Sequence, residues 1–179
     1  MKQTINKVFF AWDFEKEEEW LNAMSKRGSQ LVDVGFCKYF FEEGTAGEYN
    51  YRIELLENLP THQGSKSYIR FLEESGVEHI GSYFRWVYLR RTANDSEFDL
   101  FSDIDSRIKH LKRILTLLLC LIPLEFSALG MNISTATMGS TINLICACLL
   151  ILVFLVPFFG IAKLWKKIRE LKKERILHE

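Results

Sequence analysis

The chain has 179 residues, room for one small globular domain plus accessory segments, and its 23 Lys+Arg balance 23 Asp+Glu. That zero averages over unlike parts: acids exceed bases 19 to 12 from Met1 to Asp105, Ile114 to Ala162 holds no base and the single acid Glu125, and Lys163 to Glu179 carries seven bases against three acids. Such segregation fits a chain that meets two solvents, while the scattered four Cys and four His exclude a disulfide framework and a zinc-type ligand spacing.

The first residues, "MKQTINKVFFAW", have no long apolar core and no small-residue cleavage site, so no signal peptide is expected. "NKVFFAW" (Asn6 to Trp12) reads as a buried strand. Asp13 then offers an N-cap, and of the crowded carboxylates of Glu15, Glu17, Glu18 and Glu19 the first three sit near the first turn of a helix, where the macrodipole favours negative charge. Phe14, Leu21 and Met24, with Trp20 alongside, form its inner stripe, and Gly28 ends it. The acid block is expected to be the solvated face of this helix, because metal ligands on one helix face do not converge.

"QLVDVGFCKYFF" extends to a Gly-bearing connection, and "EYNYRIELLE" alternates Tyr49, Tyr51, Ile53 and Leu55 on one face. "KSYIRFLEESG" is a second helix stopped at Gly76, and "VEHIGSYFRWVYLRR" is a final strand broken at Gly81. The order is β-α-β-β-α-β. A shift of 48 residues superposes Gly28 on Gly76, Val32 on Ile80, Phe36 on Phe84 and Phe40 on Tyr88. The expected fold class is α+β: a ferredoxin-like (βαββαβ) domain over residues 1–93, with four antiparallel strands and two helices on one face.

These residues carry a resemblance. "EEEWLNAMSKRGSQLVDV" and "SGVEHIGSYFRWVYLRR", with a following pair of apolar spans, resemble the domain-of-unknown-function 2812 family over roughly Lys7 to Arg91. Trp20 to Gly28 is the most specific part. Ser29 and Val77 depart from the Trp common after the helix-ending glycine. The resemblance implies a small bacterial membrane protein, often encoded beside PadR-type regulators, and it brings no activity, cofactor or catalytic residues.

Residues 94–113 read as an amphipathic juxtamembrane helix, followed by a span at 114–131, an external loop at 132–140, a second span at 141–162 and a basic tail at 163–179. At 1.5 Å per residue each span covers roughly the 30 Å hydrocarbon core. Arg107, Lys109, Lys112 and Arg113 precede the first span, and Lys163, Lys166, Lys167 and Arg169 open the tail after the second. The connection "NISTATMGS" has no base, so both termini are expected in the cytoplasm. The eight bases are the expected contacts to anionic lipid of the inner leaflet.

Two further patterns matter. Glu125 lies within the first span two residues after Pro123, and Asn143 on the second span offers a partner amide, so this pair is the candidate intramembrane polar contact; the alternative is that Glu125 reaches the outer headgroups. Phe101, Ile104, Ile108, Leu111 and Leu115, and again Ile161, Leu164, Ile168 and Leu171, recur at spacings of three and four. Both stripes fit the seam of a helical hairpin or a homodimer contact through the juxtamembrane helices.

No nucleophile–base, P-loop or dinucleotide signature occurs, so no enzyme, cofactor or metal is expected. Nucleic acid is not an expected partner either, because the amino-terminal part is acidic and lipid occupies the tail's charge. The expected role is a membrane-anchored sensor or regulator whose cytoplasmic domain binds a protein or small ligand. The rings to search are Phe36, Tyr39, Tyr49, Tyr51, Phe84, Trp86 and Tyr88, most of them expected in the core. The alternative is an accessory or immunity-like subunit of an envelope transporter, working through its spans.

Overall fold

The computed structural model describes residues 2–93, 98, 100–101 and 103–178, in two units, Met1–Ser102 and Asp103–Glu179. The first unit is α+β, but it does not form the expected ferredoxin-like sheet. Among the described residues six strands make two separate antiparallel sheets of three. In chain order the elements are β1 (Gln3–Asn6), α1 (Phe14–Lys26), β2 (Ser29–Gly35), β3 (Lys38–Glu43), β4 (Tyr49–Leu55), α2 (Gln63–Glu74), β5 (Glu78–Tyr83) and β6 (Trp86–Thr92). The sheets are ordered β1-β3-β2 and β4-β6-β5, so a strand–helix–hairpin unit occurs twice with the same connectivity.

The difference arises at two tight turns. The segments 30–41 and 77–91, each expected as one extended run, are hairpins closed by two-residue loops at Phe36-Cys37 and Phe84-Arg85. Two-residue loops favour glycine or asparagine at left-handed positions. Here Cys37 (φ 53°) and Phe84 (φ 56°) occupy such conformations instead, so the usual turn signal is missing. Gly81 marks no break. It follows Ile80, the extra residue of a β-bulge between His79 and Gly81, matched in the first sheet by the bulge residue Val32 between Leu31 and Asp33. The 48-residue repeat is therefore real at the level of backbone detail: the helix-ending Gly28 and Gly76 share φ +83°.

The first strand also lies earlier than expected, at residues 3–6, and Phe9 packs with Trp20 rather than in a strand. Asp13 stands at the N-cap of α1 without a side-chain capping bond, and its carboxylate lies 3.1 Å from Lys16 Nζ.

A core of Leu21, Leu31, Val34, Phe41, Tyr51 and Ile53, with Tyr39 and Tyr88, joins α1 to both sheets. A second cluster of Leu56, Ile69, Leu72, Val77, Val87 and Leu89 seats α2, with Phe98 folded onto it. Strand β2 lies against β5, and side chains from β4 and β6 reach across to β2. Tyr51 hydroxyl accepts from Leu31 N–H (3.0 Å) and donates to Gln30 Oε1 (2.9 Å), and Arg90 donates to the Leu31 carbonyl at 3.4 Å.

The second unit is a hairpin of α3 (Ile104–Thr137) and α4 (Thr141–His178). With 34 and 38 residues, they run about 51 and 57 Å, longer than the hydrocarbon core. Both are long and apolar enough to cross a membrane, and only 11% and 17% of their apolar windows are buried, unlike the core helices of a soluble fold. Within the stretch expected as a loop at 132–140, helix continues through residue 137 and Met138–Ser140 turns the chain. The sequon residue Asn132 is accordingly helical and donates to the Ala128 carbonyl. Helix α3 begins at Ile104, and residues 94–97, 99 and 102, part of the expected juxtamembrane helix, lie outside the described residues.

The two juxtamembrane stripes meet along this hairpin. Ile108, Leu111, Ile114 and Leu118 on α3 and Leu164 and Ile168 on α4 are buried, so the seam continues through Ile114 rather than Leu115. At the open end Arg175 reaches Asp105 at 2.8 Å.

Candidate functional site

The acid block does not face water as a whole. Helical period places Glu17 three residues after Phe14 and four before Leu21, on the inner stripe itself, and it is 7% exposed. Its Oε1 accepts hydrogen bonds from Tyr39 hydroxyl (2.6 Å) on β3 and from Tyr88 hydroxyl (2.7 Å) on β6. One carboxylate thus ties α1 to both sheets. Burial is the main cause that raises its pKa above the ordinary glutamate value, and the two tyrosine hydrogen bonds pull it partly back. The same burial, with the Glu17 charge, pushes both tyrosines up, so their hydroxyls stay donors.

Glu18 is also engaged. With Asn22 and Ser25 it forms a row that hydrogen-bonds the outer edge of β4. Glu18 Oε1 accepts from Ile53 N–H (2.7 Å), Asn22 accepts from Tyr51 N–H (2.8 Å) and donates to the Tyr51 carbonyl (3.1 Å), and Ser25 donates to the Tyr49 carbonyl (2.7 Å). Steps of four and three helical residues rise about 6 and 4.5 Å against about 6.8 Å for two strand residues, near enough for side chains at helix positions 18, 22 and 25 to reach strand positions 53, 51 and 49. A helix face serves as a substitute strand and closes an edge open to pairing. Glu15 and Glu19 remain exposed. The four glutamates diverge, and among the described residues no group of three His, Cys, Asp or Glu converges as a metal site would require.

The seven rings singled out from the sequence divide three ways. Tyr39, Tyr51 and Tyr88 are core, Tyr49 and Trp86 are half-buried, and Phe36 (71% exposed) and Phe84 (60%) stand at the two hairpin tips. Elsewhere on β5, His79 Nε2 and Ser82 Oγ are 2.7 Å apart across the bulge, a pairing that the spacing of the histidines did not suggest.

On the hairpin, Glu125 and Asn143 are not brought together. Glu125 lies 12 residues before the end of α3 and Asn143 two residues into α4, so they are offset by about 15 Å along the axis. Asn143 donates instead to Ser140 Oγ at 2.8 Å. Glu125 Oε2 is buried without a hydrogen-bond partner among the described residues. Its helix continues three turns beyond it.

The eight bases form a collar at the open end. Arg107, Lys109, Lys112, Lys163, Lys166 and Arg169 are exposed, and Arg113 and Lys167 are half-buried beside the enclosed His110. Trp165 is exposed among them, with the Arg169 guanidinium 5.3 Å from its ring centre. Aromatic and basic side chains at the end of an apolar helix match the chemistry of a membrane–water interface.

Comparison with known proteins gives one result. The family model for a protein of unknown function, DUF2812, matches residues 13–122, covering α1 to β6 and the first half of α3. No curated protein and no solved structure matches the chain.

Proposed function

The chain belongs to the DUF2812 family, and we propose that it acts as a non-enzymatic, membrane-anchored sensor or regulatory protein with both termini in the cytoplasm. The observation that carries this reading is the pairing, in one chain, of an apolar helical hairpin that has a basic collar at one end with a separate α+β unit. The hairpin places the protein at the bilayer; the α+β unit supplies the surface for a protein or small ligand.

Photo-crosslinking from intact membranes tests it. A crosslinker at the exposed Phe71 on α2 is expected to trap a cytoplasmic partner, and one at Leu152 in the apolar stretch is not. Trapping only from Leu152 would overturn the regulatory reading. It would favour an accessory subunit of an envelope transporter, a second reading supported by the unpartnered Glu125 Oε2 in an apolar helix. Orientation has its own test: in a cysteine-free background, Met138→Cys is expected to react with an impermeant maleimide from outside the cell. Reaction only after permeabilisation would reverse the topology.

A further inference from the structure

The two hairpin tips, equivalent positions of the repeat, lie together. Phe36 and Tyr83 have ring centres 5.5 Å apart, and Phe84 follows Tyr83. Lys7 N–H donates to the Cys37 carbonyl at 3.1 Å, which brings the segment after β1, with Val8 exposed, alongside the first tip. Val8, Phe36, Tyr83 and Phe84 therefore present apolar side chains to solvent at one end of the sheets. A Phe held at φ 56° is in a conformation that L residues adopt at a cost, and burial does not repay it here.

Charge selects the occupant. The segments 7–10, 35–38 and 83–86 read KVFF, GFCK and YFRW, with three bases and no acid. Lys38 is exposed, Lys7 lies over the Phe9 and Trp20 rings, and Arg85 is held by the Leu56 carbonyl. Outside these segments the chain from Met1 to Asp105 holds 19 acids against 9 bases, a net charge that an anionic surface repels. Aromatic tips whose own segments carry three bases, with the exposed Glu57 one residue beyond the Leu56 that holds Arg85, suit shallow insertion among anionic headgroups. We propose that the paired hairpin tips are a second membrane contact, docking the α+β unit on an anionic bilayer surface through Phe36, Phe84, Tyr83 and Val8, with Lys38 as the headgroup contact.

The inference rests on the hairpin as membrane anchor, and one experiment separates the two. The full chain, cysteine-free except for Phe36→Cys carrying a nitroxide, is reconstituted into vesicles of phosphatidylcholine with or without phosphatidylglycerol. A matching label at Glu73→Cys, at the far end of β5 from its tip, is the reference. Flotation with the vesicles reports the anchor; the collision rates of the nitroxide with oxygen and with a water-soluble nickel complex report the tip. The expected result is several-fold higher oxygen-to-nickel accessibility at residue 36 than at residue 73 in phosphatidylglycerol vesicles. It should fall to the reference level without that lipid, and in Lys38→Glu or Phe84→Ser chains that still float. A floating protein whose residue-36 label stays as wet as the reference overturns the proposal. Spin–spin broadening relieved by dilution with unlabelled protein, and indifferent to lipid, overturns it too, because the tips then pair with a second copy.

Discussion

Removing the charge at Glu17 should change how stability depends on pH, and the sign follows from the burial. Glu17→Gln keeps a carbonyl oxygen with two lone pairs, able to accept from both Tyr39 and Tyr88, but cannot ionise. Because burial raises the folded-state pKa of Glu17, the folded protein holds its proton to a higher pH than the unfolded chain does. Below the ordinary value of 4.5 both states are protonated and the pH-dependent difference vanishes. As pH rises above 4.5 the unfolded chain ionises first, and wild type loses stability relative to Glu17→Gln until the folded pKa is passed, after which the difference is constant. Glu17→Ala behaves differently: it strands two buried hydroxyls, each costing about 1–3 kcal/mol, so a loss of roughly 2–5 kcal/mol is expected at any pH. Both are measured on the full chain in detergent by denaturant titration of tryptophan fluorescence, with Trp165→Phe removing the hairpin's signal. A wild-type minus Glu17→Gln difference that is flat with pH, or that grows in favour of wild type as pH rises, would refute the reasoning.

Asn22→Leu removes the donor and acceptor that close the edge of β4 at Tyr51, which should cost about 2–4 kcal/mol and speed hydrogen exchange of the Tyr51 and Ile53 amides. Faster exchange spread evenly over all six strands would instead mean a global effect. Phe84→Asn relieves the left-handed strain and should stabilise the α+β unit by about 1 kcal/mol in the same titration. Unchanged or lower stability would show that the Phe84 ring packs usefully. Glu125→Leu removes a carboxyl from an apolar helix and should favour membrane insertion of α3 by roughly 2–3 kcal/mol in a glycosylation-mapping insertion assay. No gain would indicate that Glu125 sits at headgroup depth.

The repeat, the helices and the apolar hairpin were legible because each rests on a local signal: glycine stops, a period near 3.6, and long runs without charge. Sheet topology was not. The loops Phe36-Cys37 and Phe84-Arg85 turn without the residues that announce a turn, so two hairpins looked like two long strands, and Gly81 looked like a break when Ile80 before it is a bulge. Glu17 was misread for a related reason. Within the EKEEE run all the glutamates look alike, yet the stripe Phe14, Leu21 and Met24 already placed position 17 inside. The signal was its register with the apolar positions, which outweighs composition. The Glu125–Asn143 pairing failed on helix length, since six more helical residues after Met131 carry the turn away from Glu125.

The two halves of the α+β unit keep the same backbone plan but have divided their polar chemistry. Under the 48-residue shift Leu21 falls on Ile69, both buried, and Trp20 on Tyr68, so the packing positions are retained. Glu17 falls on Ser65, also buried, whose hydroxyl donates to the Asn58 carbonyl. Glu18, Asn22 and Ser25 fall on Lys66, Arg70 and Glu73, long charged side chains that do not reproduce the edge-closing row. Helix α1 therefore acts on both sheets, closing β4 by hydrogen bonds and joining β3 to β6 through one carboxylate, while α2 seats only on the second sheet's core. Strand β1, the counterpart of β4, is short, largely exposed and flanked by a Lys2–Glu42 ion pair, which is how an edge is kept from unwanted pairing when no helix covers it. The residues of α1 thus carry contacts that make two half-sheets into one folded unit.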